Sequence, residues 1–213
     1  MFNTRLGQFK YLNCLPVYHA LEEGLLPHKI NLIKGPPTYL NQLFLDNKID
    51  VTPISSIEHA KNNERCIILP NLSICADGRV ASVLLFSKVP VTELEGKIVY
   101  LTSSSATSVV LLKILFEHYF HVEASLKIAA PNLEFMLEKG DAALLIGDDA
   151  IIAHQVIKDK NMDIIVTDLG EAWKNFTGEK MIYAVWIIQN AFAEENPEAV
   201  NKILDILHKS LNI

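Results

Sequence analysis

Residues 97–120 read KIVYLTSSSATSVVLLKILFEHYF. The opening KIVYL is a short apolar run of strand length, and VVLLKILFEHYF at 109–120 is amphipathic at helical spacing. Between them lies TSSSATS, residues 102–108, in which six of seven side chains carry a hydroxyl. Strand, polar turn and helix in that order form the unit from which parallel α/β sheets are built. The first N–H groups of such a helix lack intrahelical acceptors and lie at the positive end of its dipole, so the junction offers donors to an anion. One N-cap needs one hydroxyl; this turn has six.

The same alternation extends outward in both directions. Candidate strands near 5–12, 29–34 and 51–54 are each followed by a helical pattern, at 17–23, 39–46 and 56–62. Further strands are expected near 126–129, 142–146 and 164–167. Two longer extended runs, VASVLLFS at 80–87 and IYAVWIIQ at 182–189, interrupt the pattern and read as crossover strands between two lobes. The expected organisation is a discontinuous first lobe, 1–87 plus 181–213, and a second lobe, 88–180. Pro90 and the polar stretch 92–97 mark one boundary, and NFTGEK at 175–180 marks the return. The segment 197–211 predicts a helix with Pro197 at its start and Val200, Ile203, Leu204 and Leu207 on one stripe, packed back on the first lobe.

Open α/β sheets bind ligands beyond the carboxyl ends of their strands, and two lobes direct those ends to a shared cleft. The turns at those ends are therefore the candidate site. After the first strand comes YLNCLP at 11–16, with Asn13 in a capping position and Pro16 suited to a first helical turn. After the third comes Ser55-Ser56-Ile57-Glu58, where Ser55 and Glu58 have the spacing of a capping box. In the second lobe Gly147-Asp148-Asp149 opens a helix, with either aspartate placed as an acidic N-cap. Arg79, in ADGRV at 76–80, stands at the mouth of the first crossover, either for a ligand carboxylate or for Asp77.

The 213 residues are 50% apolar, enough for a substantial core, and carry a net charge of −6 with no Lys/Arg cluster. That balance gives no footprint for nucleic acid or an anionic membrane. MFNTRLGQFKYLN at the start lacks the apolar core of a signal peptide, and no apolar run has the length of a membrane span, so a cytoplasmic protein is expected. Cys14, Cys66 and Cys75 form no CxxC pair and read as buried free thiols. His118 and His121 lack a nearby acidic third ligand and read as a helix surface, so no metal is expected. GxGxxG, GxxxxGK[ST], HExxH and GxSxG are absent, which removes the minimal residues of dinucleotide, P-loop, zinc-protease and hydrolase-elbow sites.

Six stretches together carry a resemblance: GQFKYLNCLPVYHALEEG at 7–24, GPPTYLNQLFLDNKIDVTPISSIEHA at 35–60, LPNLSICADGRVASVLLFS at 69–87, LTSSSATSVVLLKILFEHYF at 101–120, DAALLIGDDA at 141–150 and DLGEAW at 168–173. The sequence resembles the menaquinone-biosynthesis family of the futalosine pathway, and within it the chorismate dehydratase branch. The resemblance covers nearly the whole chain, and YLN, ISS, SSATS and IGD in combination are far more specific than any one alone. It implies a two-lobed, periplasmic-binding-protein-like α/β fold of type II and a lyase without a cofactor. The implied reaction removes water from chorismate, a dicarboxylate, to give 3-[(1-carboxyvinyl)oxy]benzoate. It also implies further helices beyond Ile213.

On this reading Ser105, Ala106 and Thr107, beside Thr102, hold one carboxylate, with Ser55 and Ser56 contributing from the other lobe and Arg79 and Gly147 adjoining. Asn13 and Ser82 orient the ring hydroxyl and the enolpyruvyl arm. The proton acceptor is Asp148 or the substrate's own enolpyruvyl carboxylate. Two other readings share the fold. A 1,4-dihydroxy-6-naphthoate synthase of the same family carries a histidine just after the strand that here reads ALLI, where this chain has Gly147 and Asp148. A solute-binding protein captures a small anion and performs no chemistry.

Overall fold

The computed structural model describes residues 4–213. They form two compact units, one comprising the chain up to Ile74 with Ala184–Ile213, the other Cys75–Tyr183.

The first unit is built on a five-stranded sheet. Its elements are β1 (Thr4–Phe9), α1 (Leu15–Glu22), β2 (Ile30–Gly35), α2 (Pro37–Leu45), β3 (Val51–Ser55), α3 (Ser56–Lys61), β4 (Cys66–Ala76), β10 (Met181–Gln189), α8 (Asn190–Glu195) and α9 (Pro197–Ser210). The strand order is β2-β1-β3-β10-β4, with β1 parallel to β2 and β3 and β10 antiparallel to β3. Every residue of β3 is buried, as a central strand covered on both faces requires. Ala199, Ile203 and Leu207 recur every fourth residue on α9 and pack with Val17, Tyr18 and Leu21 of α1; of the expected stripe, Ile203 and Leu207 are buried and Val200 and Leu204 partly so. Phe44 of α2 packs on Ile54, Val185 and Ile187.

One buried relay ties these layers. The Tyr18 hydroxyl donates to the Gly7 carbonyl at 2.8 Å and accepts from Trp186 Nε1 at 3.0 Å. Gly7 has to be glycine, since a Cβ there would lie 2.2 Å from Thr52 Oγ1.

The second unit repeats the plan with β5 (Val83–Ser87), β6 (Ile98–Thr102), α4 (Ala106–Leu115), β7 (Ser125–Ala129), α5 (Leu133–Lys139), β8 (Ala142–Ile146), α6 (Gly147–Asp159), β9 (Ile165–Asp168) and α7 (Leu169–Thr177). Its sheet runs β7-β6-β8-β5-β9; β6 is parallel to β7 and β8, and β5 is antiparallel to β8 and β9. Met136 and Leu137 of α5 and Ala150, Ala153 and Ile157 of α6 cover Leu84, Phe86, Ala143 and Leu145.

Several boundaries differ from the sequence reading. Residues 75–87 belong to the second unit, not the first, because β5 is hydrogen-bonded between β8 and β9 in that unit's sheet. The chain passes from the first unit to the second along β4, which the pattern did not mark. Pro70 and the polar Asn71 and Ser73 disguise it, and its burial does not alternate, which an edge strand tolerates. The return through β10 lies where expected, with the boundary at Tyr183 and Ala184 instead of residue 181. The helix expected over 109–120 begins earlier, at Ala106, and gives way to a π-helical turn at Phe116–Phe120 that ends on His121 with φ 54°.

Candidate functional site

In the second unit the register brings three strand ends together at one end of the sheet. Leu101 lies opposite Leu144 in the parallel pair, and Val83 opposite Ile146 in the antiparallel one. The ends of β6 and β8 and the start of β5 therefore coincide, which brings Thr102, Gly147 and Ser82 to one place. Gly147 N donates to the Ser82 carbonyl at 2.7 Å. Gly147 takes a φ of 58°, which glycine adopts without the steric cost of a Cβ, and so turns β8 directly into α6.

The hydroxyls of TSSSATS are partly spent on the turn itself. Ser105 is the N-cap of α4: its Oγ accepts from Ser108 N at 3.1 Å and donates to Ser108 Oγ at 2.9 Å. Buried Thr102 accepts from Ser104 N through Oγ1 at 3.2 Å. The helix thus starts at Ala106 and Thr107, where the positive end of its dipole lies.

Asp148 and Asp149 stand in the first turn of α6 and do not cap it; the N-cap residue is Ile146, which makes no side-chain cap. Asp148 is half-buried, and burial together with the charge of Asp148 pushes the Asp149 carboxyl up. Arg79 is exposed and does not pair with Asp77. That carboxylate faces Lys174 at 2.7 Å and Lys180 at 3.8 Å, and the Lys174 contact holds it below the ordinary aspartate range. Arg79 instead adds its charge to burial and Lys158 in lowering the pKa of His154 on α6.

In the first unit Asn13 lies in the 3-10 turn Leu12–Cys14 after β1 and is exposed. The residue at the N-cap of α1 is Cys14, so Asn13 is not the cap, and its side chain is not needed to start the helix. Ser55 holds the N-cap position of α3 without a side-chain cap bond, so the expected capping box does not form; Glu58 meets Lys61 at 3.1 Å instead. The Ser55 hydroxyl is buried and has no hydrogen-bond partner among the described residues. Ser56, half-buried, opens α3.

Asp168, in DLGEAW at 168–173, is a contributor that the pattern of polar turns does not single out. Buried at the end of β9, it caps α7 through Gly170 N and Glu171 N and also accepts from Val80 N and Ala81 N. The available signal was the spacing of Asp168 and Glu171, that of an N-cap and its third helical position. Among the described residues no group of three His, Cys, Asp or Glu is placed to hold a metal, and no helix is long and apolar enough to cross a membrane.

A family model described as menaquinone biosynthesis matches residues 4–213. The chain belongs to the menaquinone-biosynthesis family. Within the family it is similar to a chorismate dehydratase of Thermus thermophilus, 32% identical over 90% of this chain and 70% of that one. A chorismate dehydratase of Campylobacter jejuni is 30% identical over 84% of this chain and 64% of that one. Among solved structures it resembles protein AF1704 of Archaeoglobus fulgidus (TM-score 0.68, 18% identity, 96% of this chain and 81% of that one). It also resembles the aliphatic sulphonate binding protein SsuA of Escherichia coli (TM-score 0.65, 18% identity, 98% and 72%). The family member described here thus has a periplasmic-binding-protein-like α/β fold with two mixed sheets. The chain spans about two thirds of the length of the two dehydratases.

Proposed function

We propose that this menaquinone-biosynthesis family member is a chorismate dehydratase. The observation that carries the reading is its similarity to dehydratases of that name from two organisms, over most of the chain. In the reaction the C3–H bond of the substrate gives up its proton, the C4–O bond breaks with its electron pair, and a C3–C4 double bond completes an aromatic ring. Water is the second product. Aromatisation supplies the driving force, so the protein's task is chiefly to hold two carboxylates and align the departing groups.

The residues of these turns suit that task. The first turn of α4, at Ser105, Ala106 and Thr107, offers dipole and backbone donors to one carboxylate, next to Thr102. Ser55, whose buried hydroxyl lacks a partner among the described residues, and neighbouring Ser56 are further candidate donors. Arg79 adds an exposed cation that no carboxylate of the described residues engages. Asn13 and Ser82 orient the C4 hydroxyl and the enolpyruvyl arm, and Asp148 receives the C3 proton beside Gly147.

The test is incubation with chorismate while following formation of the enolpyruvyl benzoate. Conversion at catalytic protein concentration is the expected result. Tight binding without conversion would instead indicate a binding protein, and no response would direct attention to the naphthoate synthase substrate.

A further inference from the structure

The segment Gly78–Ser82 reaches the site edge through a conformation that its own sequence does not favour. Ala81 has a φ of 61°, the left-handed region where an L side chain is strained, and it immediately precedes Ser82. What holds it there is a single buried carboxylate. Asp168 Oδ2 accepts from Ala81 N at 2.7 Å and Val80 N at 3.2 Å; Oδ1 accepts from Gly170 N at 2.9 Å, and from Glu171 N and Val80 N each at 3.1 Å. One oxygen chiefly caps α7, and the other chiefly holds the loop.

Two further contacts fix the same segment. A Cβ on Gly170 would lie 2.4 Å from the Gly78 carbonyl oxygen and 3.0 Å from Val80 Cβ, so helix and loop meet too closely for any other residue. On the far side the Ser82 carbonyl receives Gly147 N at 2.7 Å. The loop is therefore clamped between the starts of α6 and α7.

We propose that Asp168 is a positioning residue for Ser82: its carboxylate holds Ala81 in the left-handed conformation that presents Ser82 at the site edge. The inference rests on the reading of Ser82 as a residue that meets chorismate. Asp168 itself makes no contact with substrate in this scheme; it acts through the backbone of Val80 and Ala81.

Asp168→Ser separates the two duties, because serine is a good N-cap for α7 and lacks the second oxygen. The expected result is a folded protein with kcat lowered about 100-fold, since small misplacements of an aligning group cost that much, and with KM nearly unchanged. Adding Ala81→Gly should recover about tenfold of the loss, because glycine takes positive φ without strain. A purely structural role gives no such rescue. Wild-type turnover in folded Asp168→Ser, or a loss that Ala81→Gly leaves untouched, overturns the proposal.

If Asp168→Ser does not fold, Ala81→Val makes the test with the carboxylate intact. Valine resists the left-handed region, so kcat should fall while KM holds, and unchanged kcat overturns the proposal. Should the wild-type protein leave chorismate unconverted, the reading of Ser82 fails separately. Amide exchange then examines the clamp: Val80 and Ala81 should exchange faster in Asp168→Ser while Leu144 and Leu145 stay protected, and unchanged exchange overturns it.

Discussion

Asp148 and Asn13 are the residues on which the proposed chemistry turns most directly. A positioned base contributes about 100-fold or more, so Asp148→Asn should lower kcat by at least that factor in a chorismate assay. Turnover near the wild-type rate would transfer the proton to the substrate's own carboxylate. Asn13 caps no helix and is exposed, so Asn13→Leu should abolish turnover while leaving the thermal midpoint unchanged. The candidate residues were legible because turn chemistry is written in residue type: Asn, Ser, Thr, Gly and Asp after apolar runs. Their local partners were not, because hydrogen bonds depend on rotamer and register; hence Ser55 forms no capping box and Asp77 turns to Lys174. His154 shows the same limit. Burial first, then Lys158 and Arg79, lower its pKa from 6.5, with Asp168 opposing them. A histidine depressed on folding contributes stability above the unfolded value that is lost as pH falls through the folded one. The melting temperature of wild-type protein should therefore fall below pH 6.5 more steeply than that of His154→Gln, as thermal melts across that range would record.

At the level of elements, periodicity predicted most strands and their following helices because buried faces dictate period and apolar content together. It passed over β4, where Pro70 and a non-alternating pattern belong to an edge strand, and placed β5 in the wrong unit. An apolar run such as VLLFS states that a strand is buried and leaves open which sheet buries it. The same long-range dependence fixes the relay of Gly7, Tyr18 and Trp186, residues far apart in sequence that join β1, α1 and β10. Tyr18→Phe keeps the ring and removes the hydroxyl, leaving Trp186 Nε1 and the Gly7 carbonyl buried without that partner. A loss of about 2 kcal/mol in stability is expected from such stranded groups, measurable by urea unfolding.

Across the whole molecule the two units share one topological plan. In each, three parallel strands are ordered second, first, third, and the next position holds an antiparallel strand that lies outside the unit's own α/β run. That arrangement sends polar turns to the carboxyl-end edge of each sheet, consistent with the general rule for α/β ligand sites. If chorismate binds the folded chain, a hundredfold excess over Kd should stabilise it by about 2.7 kcal/mol and raise its melting temperature. Ser55→Ala and Ser82→Ala, one in each unit, should each diminish that shift. The cysteines, all expected to be buried, divide differently: Cys14 and Cys66 are buried, whereas Cys75 is exposed as the first residue of the second unit, on the strand arriving from the first. Among the described residues Cys75 is the single exposed thiol, so a maleimide fluorophore should label this chain there, turning β4 into a ready-made reporter position without any engineered cysteine.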